Sequence, residues 1–112
     1  MSIIEIIPGR LYQGDAASVP EVSEAGIDTI VNVSEALDTA AAAPLGGPMY
    51  IRWPIPDADE IPQQETLRSL SNFIARLIMV GRKVYVHCGA GINRSNLLTG
   101  LVLVALGDDG QE

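Results

Sequence analysis

Two short apolar runs, separated by a long amphipathic segment, constrain the fold of this chain more than any other feature. Residues 27–34 and 83–87, which read "IDTIVNVS" and "KVYVH", are nearly continuously apolar, as is typical of strands covered on both faces of a sheet. Between them, apolar residues recur every three or four positions over residues 63–80, which indicates a helix ending at Gly81. This strand–helix–strand order predicts a parallel sheet.

The rest of the chain continues the alternation of strands and helices. The other predicted elements are strands at 3–7, 10–13 and 49–55, a short helix between Asp15 as N-cap and Gly26 as C-cap, and a helix at 93–107. Together they predict an α/β fold, with a mainly parallel central sheet flanked by helices on both faces. With 112 residues, the chain is predicted to form a single domain over residues 1–112.

The composition restricts the class of partner and the cellular compartment. Fourteen acidic and seven basic residues give a net charge of −7, so the chain lacks the basic surface that duplex nucleic acid requires. The single cysteine cannot form an intramolecular disulfide and no signal-peptide pattern opens the chain, so we expect a reduced thiol in the cytoplasm. No apolar run reaches the roughly 18 residues of a membrane span, and no membrane partner is expected.

The only cysteine and the only histidine lie side by side in "HCGAGINRS", residues 87–95, directly after the second buried strand. Ligand sites of parallel sheets favour this edge. Gly89 and Gly91 allow successive backbone N–H groups to point at one anion, and the N-terminus of the next helix adds its positive dipole. Thiols in such positions ionise easily, so Cys88 is a candidate thiolate nucleophile. Arg94 can grip two oxygens of a phosphate.

Each of these residues also has an ordinary structural interpretation. A lone buried cysteine is commonly an apolar core residue, but the combination with histidine, glycine, arginine and serine at these spacings favours a nucleophile. His87 and Cys88 are neighbours in a strand, so their side chains point to opposite faces. His87 is therefore predicted to support the loop structurally, which argues against a Cys–His protease. Tyr50 and Trp53 are more typical of packing than of substrate contact.

The loop motif His87-Cys88-x-x-Gly91-x-x-Arg94-Ser95 resembles the signature of cysteine-dependent protein tyrosine phosphatases, and it is most similar to the dual-specificity branch. The segment "GRLYQGDAASV" and the later "IDTIVNVS" are similar to the opening of that branch. The resemblance implies hydrolysis of phosphotyrosine, with phosphoserine and phosphothreonine as further candidates, through a phosphocysteine intermediate and without a metal or other cofactor. The residues implied to bind the phosphate are Gly89, Ala90, Gly91, Ile92, Asn93 and Arg94. Ser95 is predicted to donate a hydrogen bond to the departing sulfur.

The resemblance also implies a general acid on a loop about thirty residues before the cysteine. The segment "WPIPDADEIP", residues 53–62, occupies that place, and alignment on Phe73 and Ile74 assigns the role to Asp57, with Asp59 as the alternative. An ordinary solvated loop acid is the competing interpretation of both residues. Asp57 would protonate the leaving oxygen and later accept a proton from the attacking water.

Two other functions stay open. The Gly-x-Asn-Arg sequence around Asn93 resembles RNA 5′-triphosphatases of the same superfamily, although the acidic composition weighs against an RNA substrate. The chain could also be a phosphate-binding module without turnover. Superfamily members that act on phosphoinositides tend to carry lysines in this loop, and their absence here disfavours lipid substrates.

The helix at 94–106 is apolar on nearly every side, and such a helix is normally buried. Members of the resembled family usually continue with one or two further helices that cover it, whereas this chain stops at "GDDGQE". We therefore expect either a homodimer through the 94–106 helix or a C-terminally truncated domain of reduced stability.

Overall fold

The computed structural model describes residues 3–34, 47–53, 64–88 and 93–107, with the backbone alone at residues 64 and 93–97. Five strands lie in these ranges: β1 (Ile3–Ile7), β2 (Leu11–Gly14), β3 (Thr29–Asn32), β4 (Met49–Arg52) and β5 (Val84–His87). The helices are a 3₁₀ helix (Ala16–Ala25), α1 (Gln64–Met79) and α2 (Asn93–Leu106).

The strands form one sheet in the order β1-β2-β5-β3-β4. Only β1 runs antiparallel to its neighbour, so the predicted mainly parallel sheet is confirmed. The central strand is β5, and His87 at its end pairs with Gly14 of β2 and Asn32 of β3. The carboxyl ends of these three strands are therefore level. Together they form the C-terminal edge of the sheet, where Cys88 follows β5.

Helices cover both faces of the sheet, as the sequence predicts. Helices α1 and α2 pack on one face, where alternate residues of the strands point toward them. The buried residues of this layer are Leu11, Val31, Val33, Leu67, Leu70, Ile74, Ala75, Ile78, Val84, Val86, Cys88, Leu98 and Val102. The 3₁₀ helix covers the opposite face, where the buried residues are Tyr12, Val19, Val22, Ile27, Ile30 and Tyr85.

The short helix predicted after β2 is present, but it is a 3₁₀ helix over its whole length. Both predicted caps are confirmed: the Asp15 carboxylate accepts from the backbone N–H of Ser18 over 3.0 Å, and Gly26 adopts the left-handed conformation at φ 80°. Pro20 lies inside the helix and has no N–H to donate. The missing donor favours the short, tight turns of a 3₁₀ segment over a regular α-helix.

The predicted boundaries differ from the observed ones by a few residues. Strand β2 begins at Leu11 because Arg10 still belongs to the preceding turn, where its N–H donates to the carbonyl of Ile7 over 2.9 Å. Helix α1 ends close to its predicted end, and Gly81 follows it at φ 99°. None of the helices in the described part of the chain combines the length and apolarity that crossing a bilayer needs.

Candidate active site

Cys88 lies immediately after the central strand of the sheet. It forms no disulfide, has 1 % of its surface exposed, and belongs to the apolar layer beneath helices α1 and α2. Its strand neighbours on both sides end at the same level, since Gly14 and Asn32 pair with the preceding residue, His87. This register places the thiol at the sheet edge where the sequence predicts an anion site.

The side chain of His87 lies on the opposite face of the sheet from Cys88, as the alternation of strand residues predicts. Its ring is fully buried and packs against Tyr85, with the ring centroids 5.9 Å apart. The Nδ1 atom is 3.1 Å from the carbonyl oxygen of Cys88. A carbonyl oxygen can only accept, so Nδ1 carries the proton and donates it in this hydrogen bond.

Burial lowers the pKa of His87 below its ordinary value of 6.5, because the buried charged form loses its hydration; the hydrogen bond to Cys88 and the charge of Asp15 oppose this effect but are smaller. The imidazole is therefore neutral at neutral pH. A neutral ring that is already committed to a backbone carbonyl cannot form the imidazolium–thiolate pair of a Cys–His protease.

Tyr85 ties the central strand to the first turn of the 3₁₀ helix. Its hydroxyl donates to the backbone carbonyl of Asp15 over 2.6 Å. Burial, and secondarily the negative charge of Asp15, raise the pKa of Tyr85, so this hydroxyl keeps its proton. The hydrogen bond anchors the loop after β2 beside the sheet edge that carries Cys88.

A buried asparagine at the end of β3 is a site feature that the sequence analysis missed. The Nδ2 atom of Asn32 donates to the hydroxyl of Tyr50 over 2.9 Å, and its Oδ1 atom accepts from the backbone N–H of Ser34 over 2.9 Å. These bonds fix the chain as it leaves the sheet beside His87, whose carbonyl accepts from Val33. The available signal was a single amide residue within an otherwise apolar strand.

Tyr50 and Trp53 have the packing roles that the sequence favours. Tyr50 accepts the Asn32 hydrogen bond and packs against the apolar cluster beneath the 3₁₀ helix. Trp53 packs against the cluster on the other face. Both residues thus support the sheet edge from within the fold.

The other predicted site residues are described in part or not at all. The backbones of Asn93, Arg94 and Ser95 form the first turn of α2, so a helix begins where the sequence predicts one. Its N-terminus follows Cys88 after four intervening residues. The residues that fall outside the described ranges are Gly89, Ala90, Gly91, Ile92, Asp57 and Asp59.

A reduced cysteine at the carboxyl end of a central parallel strand, followed closely by a helix N-terminus, agrees with the resemblance in the loop motif. The family model for the dual specificity phosphatase catalytic domain matches residues 11–104. The chain belongs to the dual specificity phosphatase family. The match includes β2 to β5, all of α1, α2 as far as residue 104, and all of the predicted site residues.

Individual dual specificity phosphatases agree with this assignment. The chain is 36 % identical over 95 residues to mouse dual specificity protein phosphatase 12, and 28 % identical over 103 residues to human dual specificity protein phosphatase 15. These alignments cover 82 % and 91 % of the chain. The crystal structure of DUSP15 superposes with a TM-score of 0.71 at 26 % identity, covering 90 % of this chain. A mouse dual specificity phosphatase complexed with zinc tungstate gives a TM-score of 0.76 at 22 % identity and shares the fold.

The chain spans about a third of the length of the curated relatives it matches, 28 % of phosphatase 12 and 34 % of phosphatase 15. It spans 64 % of the DUSP15 chain in the crystal structure. The similarity therefore concerns the segment that holds the sheet, the cysteine loop and the helix after it.

Proposed function

We propose that this chain is a phosphoprotein phosphatase that hydrolyses phosphotyrosine, and also phosphoserine or phosphothreonine, through a phosphocysteine intermediate. The observation that supports this most is the placement of the Cys88 thiol between the central strand and the N-terminus of α2, in a chain of the dual specificity phosphatase family. A helix N-terminus favours binding of the phosphate dianion that the thiol attacks.

The proposed reaction has two displacements at phosphorus. In the first, the Cys88 sulfur forms a bond to phosphorus while the ester P–O bond breaks, and Asp57 gives its proton to the leaving oxygen. In the second, water attacks the phosphocysteine, Asp57 takes a proton from it, and the P–S bond breaks to release inorganic phosphate. Ser95 donates a hydrogen bond to the departing sulfur.

Two groups of residues hold the phosphoryl group during both steps in this proposal. Arg94 grips two oxygens with its planar guanidinium, and the backbone N–H groups of residues 89–93 bind the others. His87 supports this loop structurally, because the hydrogen bond from its Nδ1–H to the Cys88 carbonyl orients the peptide that enters the loop. No proton transfer is assigned to His87, because its ring is buried and neutral.

The substrate class is tested by assaying the purified chain against a phosphotyrosine peptide, a phosphothreonine peptide of the same sequence and a small aryl phosphate. We expect phosphate release from all three, slowest from the phosphothreonine peptide because its alcohol leaving group is the most basic. A chelator is the control and is expected to leave the rates unchanged. Release from neither peptide would contradict the phosphoprotein assignment, even if the aryl phosphate is cleaved.

A reducing compartment, the cytoplasm, suits this mechanism. Cys88 is the only cysteine in the chain, so a disulfide with a second cysteine of its own cannot protect the thiol from further oxidation. A thiol pool keeps such a nucleophile active.

We also propose that two copies of the chain associate through the outer face of α1 and α2. On α2, Leu103 and Val104 are 45 % and 58 % exposed, and Val104 lines a cleft between α1 and α2. Phe73 and Met79 of α1 line a second cleft, which shares Ala105 with the first. The described residues that line the two clefts between these helices include no acid, although the chain carries 14. Two chains that each carry a net charge of −7 repel one another least when they associate through a face without acidic side chains.

Sedimentation velocity across a range of concentrations tests this association. We expect a dimer at micromolar concentration, and a monomer for Val104→Lys, which places a charge in the interface. Ile4→Lys is the matched control, since Ile4 is 56 % exposed on strand β1 at the far edge of the sheet. A wild-type chain that stays monomeric over the whole range would rule out the dimer.

A further inference from the structure

A buried hydrogen bond joins the sheet to helix α2 close to the candidate site. The hydroxyl of Thr99 donates to Oε1 of Gln13 over 2.7 Å, across 86 positions of the sequence. Gln13 is 4 % exposed and Thr99 is 5 % exposed. The two side chains meet inside the largely apolar layer between the sheet and the helices, where Leu98 and Val102 of α2 are also buried.

The hydrogen bond between Gln13 and Thr99 restricts the orientation in which α2 packs on the sheet. Burial of an amide and a hydroxyl costs free energy, which their mutual hydrogen bond offsets only approximately. The apolar contacts of Leu98 and Val102 stabilise α2 on the sheet but are non-directional, so they restrict its rotation and sliding only loosely. A hydrogen bond has a narrow range of length and angle. The Thr99–Gln13 bond therefore fixes both the rotation and the axial position of the helix.

Each end of the bond lies close to a residue of the candidate site. Gln13 pairs with Val86 across the β2–β5 ladder, and Val86 is two residues before Cys88. Thr99 follows Arg94 by five residues in α2, which corresponds to about 7.5 Å along the helix axis. The bond thus links the strand pair that ends at Cys88 to the helix whose first turn contains Arg94.

We propose that Gln13 and Thr99 are positioning residues that set the placement of the Arg94 guanidinium relative to the Cys88 sulfur. Both are too buried to contact a substrate, so they act through α2. The inference rests on the proposed function, in which Cys88 and Arg94 engage the same phosphoryl group. A shift of reacting groups by roughly 1 Å can cost on the order of a hundredfold in rate, so a modest rotation of α2 has a measurable effect.

The test is Thr99→Val, which keeps the branched shape of the side chain and removes the hydroxyl. We expect kcat/KM for an aryl phosphate to fall about tenfold, and the inhibition constant for inorganic phosphate to rise several-fold. Thr99→Ser keeps the donor and is expected to recover most of the loss. Gln13→Leu is expected to resemble Thr99→Val, and the double variant to be no worse than either single variant, because the two residues act through one bond.

Ser71→Ala is the matched control for loss of a buried hydroxyl. Ser71 lies on α1 and donates to the carbonyl of Arg68 over 2.9 Å, so its bond stays within one helix. We expect Ser71→Ala to lower the urea midpoint of unfolding while the kinetic constants of the folded protein stay unchanged. All rates are corrected for the folded fraction, which is measured from the urea transition of each variant.

Two outcomes separate this inference from the proposed function. If Thr99→Val and Gln13→Leu lower stability but leave kcat, KM and phosphate inhibition unchanged, the pair is purely structural and the inference is wrong. If wild-type activity does not depend on Cys88, the proposed function is wrong. In that case the affinity of Thr99→Val for inorganic phosphate, measured by calorimetry, still decides whether the pair positions the anion site.

Discussion

Replacement of Cys88 by serine is expected to reduce hydrolysis of an aryl phosphate by about 10⁴-fold or more, the scale on which loss of a covalent nucleophile acts. At neutral pH a serine hydroxyl is un-ionised, and the neighbouring His87 is not placed to serve as its general base, since its ring packs on the other face and Nδ1 donates to a carbonyl. Initial rates over a range of substrate concentrations provide the measurement.

The same variant is expected to retain phosphate binding. In the proposed mechanism the ground-state contacts to the phosphate come from Arg94, the backbone N–H groups of the loop and the dipole of α2, and the substitution removes none of these groups. Calorimetry with a phosphotyrosine peptide should therefore give a Kd for Cys88→Ser that can be measured directly, without turnover. Urea unfolding of the variant is the control for the fold, because Cys88 packs in the apolar layer. A Cys88→Ser rate within tenfold of wild type would contradict the phosphocysteine route.

The elements that the sequence predicts well are those whose signals are local. The apolar runs that became β3 and β5, the stripe of α1 and the caps at Asp15 and Gly26 each depend on residues within one element. The helical type of Ala16–Ala25 was not predicted, because an N-cap and a C-cap do not distinguish α from 3₁₀ turns.

The contacts that the sequence does not predict are long-range pairs of polar residues. The Asn32–Tyr50 bond spans 18 positions and the Gln13–Thr99 bond spans 86, and each exists only because the sheet order and the placement of α2 bring the two residues together. Such a residue looks like an isolated polar exception in an apolar segment until its partner is known. In the candidate site, the motif predicts the residues that carry the chemistry, whereas the fold shows the polar contacts beside them that the sequence does not predict.

The effect of Asp57→Asn is expected to depend on the leaving group. A general acid contributes about 10² to 10⁴ in rate when the departing oxygen is basic, so hydrolysis of a phosphothreonine peptide should fall by that order. The phenolate of an aryl phosphate with an acidic phenol departs without protonation, so hydrolysis of that ester should be slowed far less. The measurement is kcat/KM for a series of phosphate esters that differ in the pKa of the leaving alcohol or phenol. This constant reports the steps up to loss of the leaving group and not the later hydrolysis of the phosphocysteine, in which Asp57 also acts. The slope of log(kcat/KM) against that pKa should become steeper in the variant.

Asp59→Asn provides a matched control, because Asp59 lies two residues away in the same acidic segment and is the alternative candidate for the acid. A general effect of removing negative charge beside a phosphate site would change both variants alike, and would slightly favour binding of the dianion. A catalytic role for Asp57 requires that Asp57→Asn alone steepens the leaving-group dependence. If Asp59→Asn steepens it and Asp57→Asn does not, the acid is Asp59. If neither does, protonation of the leaving group comes from outside this loop, since a positioned acid at either residue would give a leaving-group-dependent loss.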